Sequence, residues 1–307
     1  MRPARGTRRR RRRPHPRRRL AFRFSEEPMI RIITLMDNSP GRAGTTAEHG
    51  LCFLVERDGR SLLFDTGGSG AFLDNARGLG AEPGAAEALV VSHGHYDHGG
   101  GVRALLDRTA FNGPLYTGGG FFDKKWADEE PAPRYLGVDF DGDFLLSRRI
   151  EHRTVTASGG DTAFMEALPG VFVVNGFPRL HTRERPNPRF VVDRDGRRTM
   201  DDFRDEVCLA IEVPGGIAAV LGCAHPGIMN MLDAVRKAFG KTVVAVFGGS
   251  HLVDADAERI SSTVDYLGAT SCSLAALGHC TGDAGKASLA ARLPAYRPLA
   301  VGAEYRL

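Results

Sequence analysis

The stretch ALVVSHGHYDHGGG, residues 88–101, sets the expectations for both the fold and the chemistry of this chain. Its first four residues form an apolar run, which predicts a short buried β-strand. Four side chains that commonly bind metal follow this run within six positions: His93, His95, Asp97 and His98. Because alternate residues of an extended segment point the same way, the first two histidines are expected to grip one cation together. The Asp-His pair lies where glycine redirects the backbone, so it suits a second ion nearby. Neutral imidazole and carboxylate ligands are typical of zinc, manganese or iron sites.

Three later apolar runs are also followed by histidine. Residues 217–221, 243–247 and 273–277 precede, within a few positions, His225, His251 and His279. Ligands of α/β proteins bind in the crevice at the carboxyl ends of the strands, so four strands that share a sheet edge would bring their histidines together. For any single histidine a structural role is an equal alternative. The repetition favours a common site.

The pattern of apolar residues predicts further strands and helices. From Met29, the runs IRIITLM, LCFLVE and SLLFDTG indicate a β-meander, and a hairpin is expected around the turn at 214–216. Helices are expected near residues 71–79, 228–238, 257–267 and 284–292. The region 112–204 lacks a regular pattern apart from a strand-like piece near 170–174, and we interpret it as loops that cover the site.

Charge is distributed unevenly along the 307 residues. Residues 1–28 contain 12 Arg and 2 Glu, a net charge of +10, whereas residues 29–307 carry 29 basic and 35 acidic groups, or −6. The basic character therefore belongs to the first 28 residues and does not describe a folded body. This arginine-rich extension is expected to be disordered. We interpret it as sequence upstream of a misassigned start, with Met29 opening the protein. The alternative is a nucleic-acid- or membrane-binding arm, whose steeply salt-dependent binding would vanish when residues 1–28 are deleted.

Cysteine usage and hydropathy indicate a soluble cytoplasmic protein. The chain has five cysteines, an odd number with no CxxC pair, which argues against a disulfide framework and favours a reducing compartment. No apolar run approaches the roughly 20 residues that cross a bilayer. Arg23 and two glutamates interrupt the apolar core that a signal peptide needs. The oligomeric state is left open.

The segment HGHYDH at residues 93–98 is an HxHxDH motif, through which the chain resembles the metallo-β-lactamase superfamily. The resemblance implies an α+β fold, a four-layer αββα sandwich with the metal site at one edge, spanning residues 29–307. It also implies two divalent metal ions, zinc as first choice and manganese, iron or magnesium as alternatives. In the LFDTG segment at 63–67, the resemblance implies that Asp65 supports a metal ligand and does not itself bind metal.

Five segments together resemble one subfamily, the 7,8-dihydropterin-6-yl-methyl-4-(β-D-ribofuranosyl)aminobenzene 5′-phosphate synthases. They are EHGL (48–51), SHGHYDHGGG (92–101), GCAHPGI (222–228), GGSHL (248–252) and GHCTG (278–282). This resemblance implies a transferase that condenses an aminobenzene ribofuranosyl phosphate with a pterin diphosphate and displaces pyrophosphate. The alternatives are a dinuclear metal-dependent hydrolase of a phosphoester or lactone and a non-enzymatic nucleic-acid binder acting through the arginine-rich extension. We expect a phosphorylated small-molecule substrate, with neither membrane nor nucleic acid as partner.

The pair Gly222-Cys223 marks a departure from the wider superfamily, whose hydrolases commonly carry a bridging aspartate at this point. Cys223 is a candidate thiolate ligand or a reactive group, and the alternative is a small packed residue beside the true ligand, His225. His225 is expected to complete the first ion's shell, and either His251 or His279 the second's. Asp97 and Cys223 are the candidate catalytic residues.

The remaining ionisable residues carry weaker expectations. His49 is expected at the rim of the site or in a structural role. His15, His152 and His181 lie in polar stretches and are expected to be solvated. Asp161 and Glu206 have no support beyond their chemistry.

Overall fold

Two seven-stranded β-sheets form the centre of the structure, a computed structural model that describes residues 29–307. In spatial order the first sheet consists of β18 (Glu304–Arg306), β1 (Ile30–Met36), β2 (Cys52–Arg57), β3 (Arg60–Phe64), β4 (Ala88–Val90), β5 (Leu115–Gly118) and β8 (His152–Val155). The second consists of β17 (Tyr296–Pro298), β16 (Leu274–Leu277), β15 (Val243–Gly248), β14 (Gly216–Val220), β13 (Val207–Val213), β10 (Val171–Asn175) and β9 (Ala163–Leu168). The disorder expected for the arginine-rich extension lies outside the described residues.

Each large sheet is antiparallel in one half and parallel in the other. In the first sheet β18, β1, β2 and β3 pair antiparallel, and β3, β4, β5 and β8 pair parallel. In the second, β9, β10, β13 and β14 pair antiparallel, and β14, β15, β16 and β17 pair parallel. The carboxyl ends of the parallel strands of each sheet therefore lie along one edge.

Seven helices and a third sheet complete the structure. The helices are α1 (Ala71–Leu79), α2 (Tyr96–Gly99), α3 (Val102–Arg108), α4 (Gly142–Ser147), α5 (Ile228–Phe239), α6 (Ala257–Ala269) and α7 (Gly282–Arg292). The third sheet, here called the inserted sheet, has the order β12 (Arg197–Met200), β11 (Phe190–Arg194), β6 (Lys124–Ala127) and β7 (Arg134–Tyr135). Among the helices of residues 29–307, none combines the length and apolarity needed to span a membrane.

Strand alternation builds the layers. In β2, Phe53 and Val55 enter the core between the two sheets, whereas Cys52 and Leu54 face the opposite way, in a second core that includes residues of α1 and α3. The second sheet repeats this arrangement with α5, α6 and α7 on its outer face. Because each sheet is covered on both faces, its strands are apolar on both faces. The predicted four-layer αββα sandwich is confirmed.

The helices and strands expected outside residues 112–204 are present and begin within two residues of the expected positions. Inside that region the strand expected near 170–174 is present as β10, but the interpretation of the rest as loops is wrong, because the region also contains seven further strands from β5 to β12 and α4. Its strands are two to six residues long, and β11 pairs with β6 across about 60 residues of sequence. Strands so short provide too few alternations to be recognised from a local pattern.

Close packing at the edge of the second sheet depends on a glycine. A Cβ atom at Gly248, whose φ is +115°, would lie 2.0 Å from the carbonyl oxygen of Leu221. Only glycine permits both that backbone conformation and that approach. The end of β15 is thereby held against the end of β14, directly below the candidate site.

Candidate metal centre

Eight ligand-type side chains meet at the edge where the parallel strands end. One set follows β4 in the first sheet: His93, His95, Asp97 and His98. The other follows β14, β15 and β16 in the second sheet: Cys223, His225, His251 and His279. All eight are at most 6% exposed. The structure thus brings together every residue proposed from sequence as a ligand, and the two sheets contribute four each.

The donor atoms form two groups that share one sulfur. The first group is His93, Cys223 and His225, and the second is Asp97, His98, Cys223 and His279, with the donor atoms of each group within 4.8 Å of one another. His279, and not His251, therefore stands with Asp97. The ring of His251 lies beside His225, at a centroid distance of 4.2 Å.

Distances between donor atoms suit shared cations. Two nitrogens on one tetrahedral zinc ion with bonds of 2.0–2.1 Å lie about 3.3 Å apart. Here His93 Nε2 and His95 Nδ1 are 3.0 Å apart, and His279 Nε2 and Asp97 Oδ2 are 3.3 Å apart. His98 Nε2 lies 3.2 Å from Cys223 Sγ.

Buried ring nitrogens without hydrogen bonds also indicate a cation site. Among residues 29–307, both ring nitrogens of the buried His225 lack a hydrogen-bond partner. Leaving such atoms buried and unsatisfied costs roughly 1–3 kcal/mol each, so native structures rarely do so without reason. A bound metal would satisfy them, and the donor set of imidazole, thiol and carboxylate fits one.

The electrostatics keep four of the histidines in their neutral form. Burial lowers the pKa of His93, His95 and His225 well below the usual range, and lowers the pKa of His251 to about 4. These imidazoles are therefore neutral, which is the form that coordinates metal. Burial alone raises the pKa of Asp97, but the facing histidines outweigh it and hold that pKa well below the usual range, so the carboxylate is charged.

Asp65 supports His98 as expected. Its Oδ2 lies 2.7 Å from His98 Nδ1, while its two oxygens also accept hydrogen bonds from the amide and hydroxyl of Ser92. Burial lowers the pKa of His98, yet the carboxylates of Asp65 and Asp97 overcome this and raise it. The contact leaves His98 Nε2 facing Cys223. The contact between Asp65 and His98 is a carboxylate–histidine pair of the kind that fixes the tautomer of many metal-binding histidines.

Supporting residues at the end of β1 are absent from the sequence expectations. Asp37 Oδ1 accepts a hydrogen bond from the amide of His279 (2.8 Å), and Asn38 Oδ1 lies 2.9 Å from His279 Nδ1. Asn38 Nδ2 also contacts Nδ1 of His49 at 3.1 Å, and His49 Nε2 lies 3.2 Å from Asp97 Oδ2. His49 is therefore at the rim, in contact with the Asp97 carboxylate. The signal was available, since both polar residues follow a strand that runs parallel to β3.

Glu206 and two histidines correct the sequence interpretation. Glu206 is fully buried, and its oxygens accept hydrogen bonds from the amides of Ala224 (2.6 Å) and His225 (3.0 Å), so it shapes the loop that carries His225. His152 is half-buried with Nε2 at 2.8 Å from Thr117 Oγ1. His181 is also half-buried and lies 2.8 Å from Asp233, so neither is simply solvated.

Backbone strain is concentrated at the site. Eight non-glycine residues in the described part of the chain have positive φ, and five of them lie at or beside the site: Asp65, Phe203, Ala224, His251 and His279. Such conformations cost about 1–3 kcal/mol each and persist only where the surroundings enforce them. The concentration marks this edge as functional.

A buried ionic triad holds the inserted sheet against the metal centre. Lys125 Nζ lies 2.8 Å from Asp201 and 2.9 Å from Asp205, and the three side chains are each 1% exposed. Asp205 also accepts a hydrogen bond from the amide of Gly94 (2.8 Å), between the first two histidines of the motif. Nearby, the ring of Phe203 stacks on His225, with centroids 3.8 Å apart. The region interpreted as loops thus contributes the packing of the site.

A cavity of 130 Å³ opens above the ligands. Its lining combines ligand-type side chains with apolar and basic ones. The first are His95, Asp97, Cys223, His225, His251 and His279, and the second include Tyr96, Arg134, Leu136, Arg189 and Phe190. The cavity therefore combines ligand atoms at its floor with apolar and basic side chains on its wall.

Comparison with known proteins places this geometry in context. A model of the metallo-beta-lactamase superfamily matches residues 45–181. The 7,8-dihydropterin-6-methyl-4-(β-D-ribofuranosyl)-aminobenzene-5′-phosphate synthase of Methanocaldococcus jannaschii is 29% identical over 267 residues, covering 82% of this chain and 88% of that protein.

Two solved structures extend the comparison. Tm1679, described as a metal-dependent hydrolase of the β-lactamase superfamily, is 28% identical with a TM-score of 0.77, covering 91% of this chain and 99% of its own. Zn²⁺-bound PqqB from Methylobacterium extorquens is 14% identical with a TM-score of 0.55, covering 90% and 100%, and is a likeness of fold alone.

Proposed function

Because the chain belongs to the metallo-β-lactamase superfamily of metal-dependent enzymes, we propose that it is a transferase that joins an aminobenzene ribofuranosyl phosphate to a pterin diphosphate and releases pyrophosphate. The observation that carries the proposal is the synthase relative, which is 29% identical and matches 82% of the chain. Cys223, at the point where the wider superfamily commonly carries a bridging aspartate, is consistent with a use of the site other than ordinary hydrolysis.

Two divalent ions fit the donor atoms of the proposed site. His93, His95 and His225 would hold one, and Asp97, His98 and His279 the other, with Cys223 between the two sets. Sulfur and imidazole donors make zinc the first choice, with manganese, iron or magnesium as alternatives. Such a pair supplies neutralisation of the charge that develops on phosphoryl oxygens.

Other residues of the site orient the histidines or exclude water from them. Asp65 and Asn38 each hold one histidine in a single tautomer, as their contacts of 2.7 and 2.9 Å indicate. Phe203 covers the face of His225 and excludes water from that side. His251, which joins neither donor group, lines the cavity and is the histidine proposed to face the substrate.

The synthase proposal is tested by product analysis. Metal-loaded protein incubated with pterin diphosphate and the aminobenzene ribofuranosyl phosphate is expected to release one pyrophosphate per condensed product, because displacement couples the two. Phosphate assays after pyrophosphatase treatment and mass spectrometry of the product measure both. If metal-loaded protein releases no pyrophosphate from these two substrates, the synthase proposal is wrong.

Hydrolysis of a phosphoester or lactone is the second candidate, favoured by the likeness to Tm1679 at 28% identity. It requires only one organic substrate. Turnover of a phosphodiester or lactone without the aminobenzene partner distinguishes it from the synthase.

The role of Cys223 is tested by spectroscopy. A thiolate ligand is expected to give cobalt-substituted protein a sulfur-to-metal charge-transfer absorption, and Cys223→Ser should abolish that band and weaken metal binding at least about tenfold. Burial raises the pKa of the Cys223 thiol well above its usual range, so only a bound cation would hold it as a thiolate at neutral pH. Cys208→Ala, in the buried strand β13, is the matched control. An unchanged absorption in Cys223→Ser would make the residue a packing group.

A further inference from the structure

One face of the inserted sheet looks onto the metal centre. Phe190 of β11 pairs with Ala127 of β6, which pairs in turn with Arg134 of β7. Side chains directly opposite one another in a ladder lie on the same face of the sheet. The ring of Phe190 is 5.2 Å from that of His225 and 5.7 Å from that of His251, so this face is the wall of the cavity. The pairing register therefore assigns Arg134 to the wall.

Arg134 stands at the mouth of the cavity. Its Nε donates to Glu129 Oε1 at 2.7 Å, and 52% of its side chain is exposed. Leu136, two residues along, is buried in the same wall. The guanidinium is thus held on one edge by a carboxylate while the rest of it remains accessible from the cavity mouth.

Arg189 supplies a second guanidinium to the same wall. Its Nη2 lies 3.1 Å from Asp254 Oδ2, and its guanidinium carbon lies 4.8 Å from the centroid of the Phe190 ring. Within residues 29–307 its buried Nε has no hydrogen-bond partner, while 40% of the side chain is exposed. Asp254 and Phe190 fix this side chain at the cavity, with hydrogen-bonding capacity left over.

The two arginines flank an apolar strip. Arg134 lies in β7, and Arg189 immediately precedes β11. Strand β6 lies between these two strands, which are therefore roughly 10 Å apart, and the wall there includes Ala127, Leu136 and Phe190. Guanidinium groups bind phosphate through paired N–H donors, and an aromatic ring packs well on an apolar and aromatic strip. A ligand that combines a phosphate with an aromatic ring matches this surface.

We propose that Arg134 and Arg189 form the anion-recognising edge of the cavity and hold the phosphate of a phosphate ester that also carries an aromatic ring, with that ring against Phe190. The inference rests on the proposed function and deepens it, since it names the residues that read the phosphorylated substrate.

The opposite face of the inserted sheet offers a matched control. Arg198 on β12 lies 3.8 Å from Asp128, and its guanidinium carbon is 4.9 Å from the centroid of Trp126. It is as exposed as Arg189, at 41% of its side chain, and like Arg189 it combines a carboxylate with an aromatic neighbour. The register places it with Asp193 and Trp126 on the face away from the cavity. Arg198 therefore shares the chemistry of Arg189 without its location.

Calorimetric titration of metal-loaded protein with phenyl phosphate tests the proposal, because it measures recognition without requiring turnover. Arg134→Gln and Arg189→Gln are each expected to weaken binding roughly tenfold or more, as loss of a charge-assisted hydrogen bond does. Arg198→Gln is expected to bind as the unmodified protein does. Phenol, which lacks the phosphate, should bind equally weakly to all three variants and to the unmodified protein.

The outcomes separate this inference from the proposed function. Unchanged phenyl phosphate affinity in Arg134→Gln and Arg189→Gln, or an equal loss in Arg198→Gln, overturns the inference. A selective loss supports it even if the unmodified protein releases no pyrophosphate, in which case only the synthase proposal fails. Arg134→Lys, which keeps the charge but not the paired donors, should restore part of the affinity.

Discussion

Replacing Asp97 with Asn is expected to lower turnover at least about 100-fold and to reduce the bound metal from two ions to one, because a ligand should matter no less than the partners that support it. The Asp97 carboxylate lies 3.2 Å from His49, 3.3 Å from His279 and 3.7 Å from His98. It is the one charged oxygen donor among the eight ligand-type side chains. The amide keeps the shape but removes the charge, so the site should lose its second ion without losing its fold. Elemental analysis and steady-state rates measure the two effects.

The control for this substitution is Asp161→Asn, which changes an exposed aspartate away from the donor groups. It should leave metal content and turnover unaltered. Two ions per chain together with undiminished turnover in Asp97→Asn would remove Asp97 from the ligand set and from the catalytic residues.

Lys125→Met is expected to destabilise the protein by about 3–5 kcal/mol, the usual result of removing one partner from a buried ion pair. The substitution leaves Asp205 buried without a counter-charge and leaves Asp201 with only the more distant Arg194, at 3.7 Å. Asp205, which accepts the hydrogen bond from the amide of Gly94, would also lose its lysine partner. A weaker affinity for metal should therefore accompany the loss of stability. Denaturant unfolding with and without metal measures both quantities.

The loss of stability in Lys125→Met should depend on pH. Burial raises the pKa of Asp205 above its usual value even with Lys125 present, and loss of the lysine charge would raise it further. A carboxyl whose pKa is higher in the folded than in the unfolded state penalises folding at neutral pH, and the penalty disappears as the pH falls towards the unfolded value near 4. The difference in unfolding free energy between variant and parent should therefore shrink on acidification.

Lys124→Met is the appropriate comparison, because this neighbouring lysine on β6 is exposed. It should change stability by less than about 0.5 kcal/mol, as surface substitutions usually do. A loss in Lys125→Met no larger than that in Lys124→Met would show that the triad contributes nothing to stability.

The sequence was sufficient to predict the layered fold and the meeting of the histidines. The layered fold was implied by the resemblance that the HxHxDH motif carries. The meeting of the histidines follows from the occurrence of His93, His225, His251 and His279 just after apolar strands, because parallel strands end at a common edge. It could not decide between His251 and His279 for the second donor group. That choice depends on how each loop leaves its strand, and both residues adopt positive φ, at 44° and 45°.

The supporting residues were missed for a different reason. Glu206 and Lys125 act through contacts with residues 18 and 76 to 80 positions away in the sequence. Nothing in their immediate neighbours distinguishes them from solvated charges. Only the pairing of short strands, which local patterns do not reveal, brings them under the site.

The origin of the ligands in both sheets has a consequence for how the chain holds together. His93 and His279 are 186 residues apart, and near them the sheets are joined by the amide of Val207 and the carbonyl of Ser92, at 2.7 Å. Ions bound between them would act as cross-links that clasp the two halves of the chain. Metal affinity and the docking of the sheets are then linked equilibria, so each stabilises the other. Removal of the ions by a chelator would therefore weaken the contact between the two sheets before either sheet unfolds.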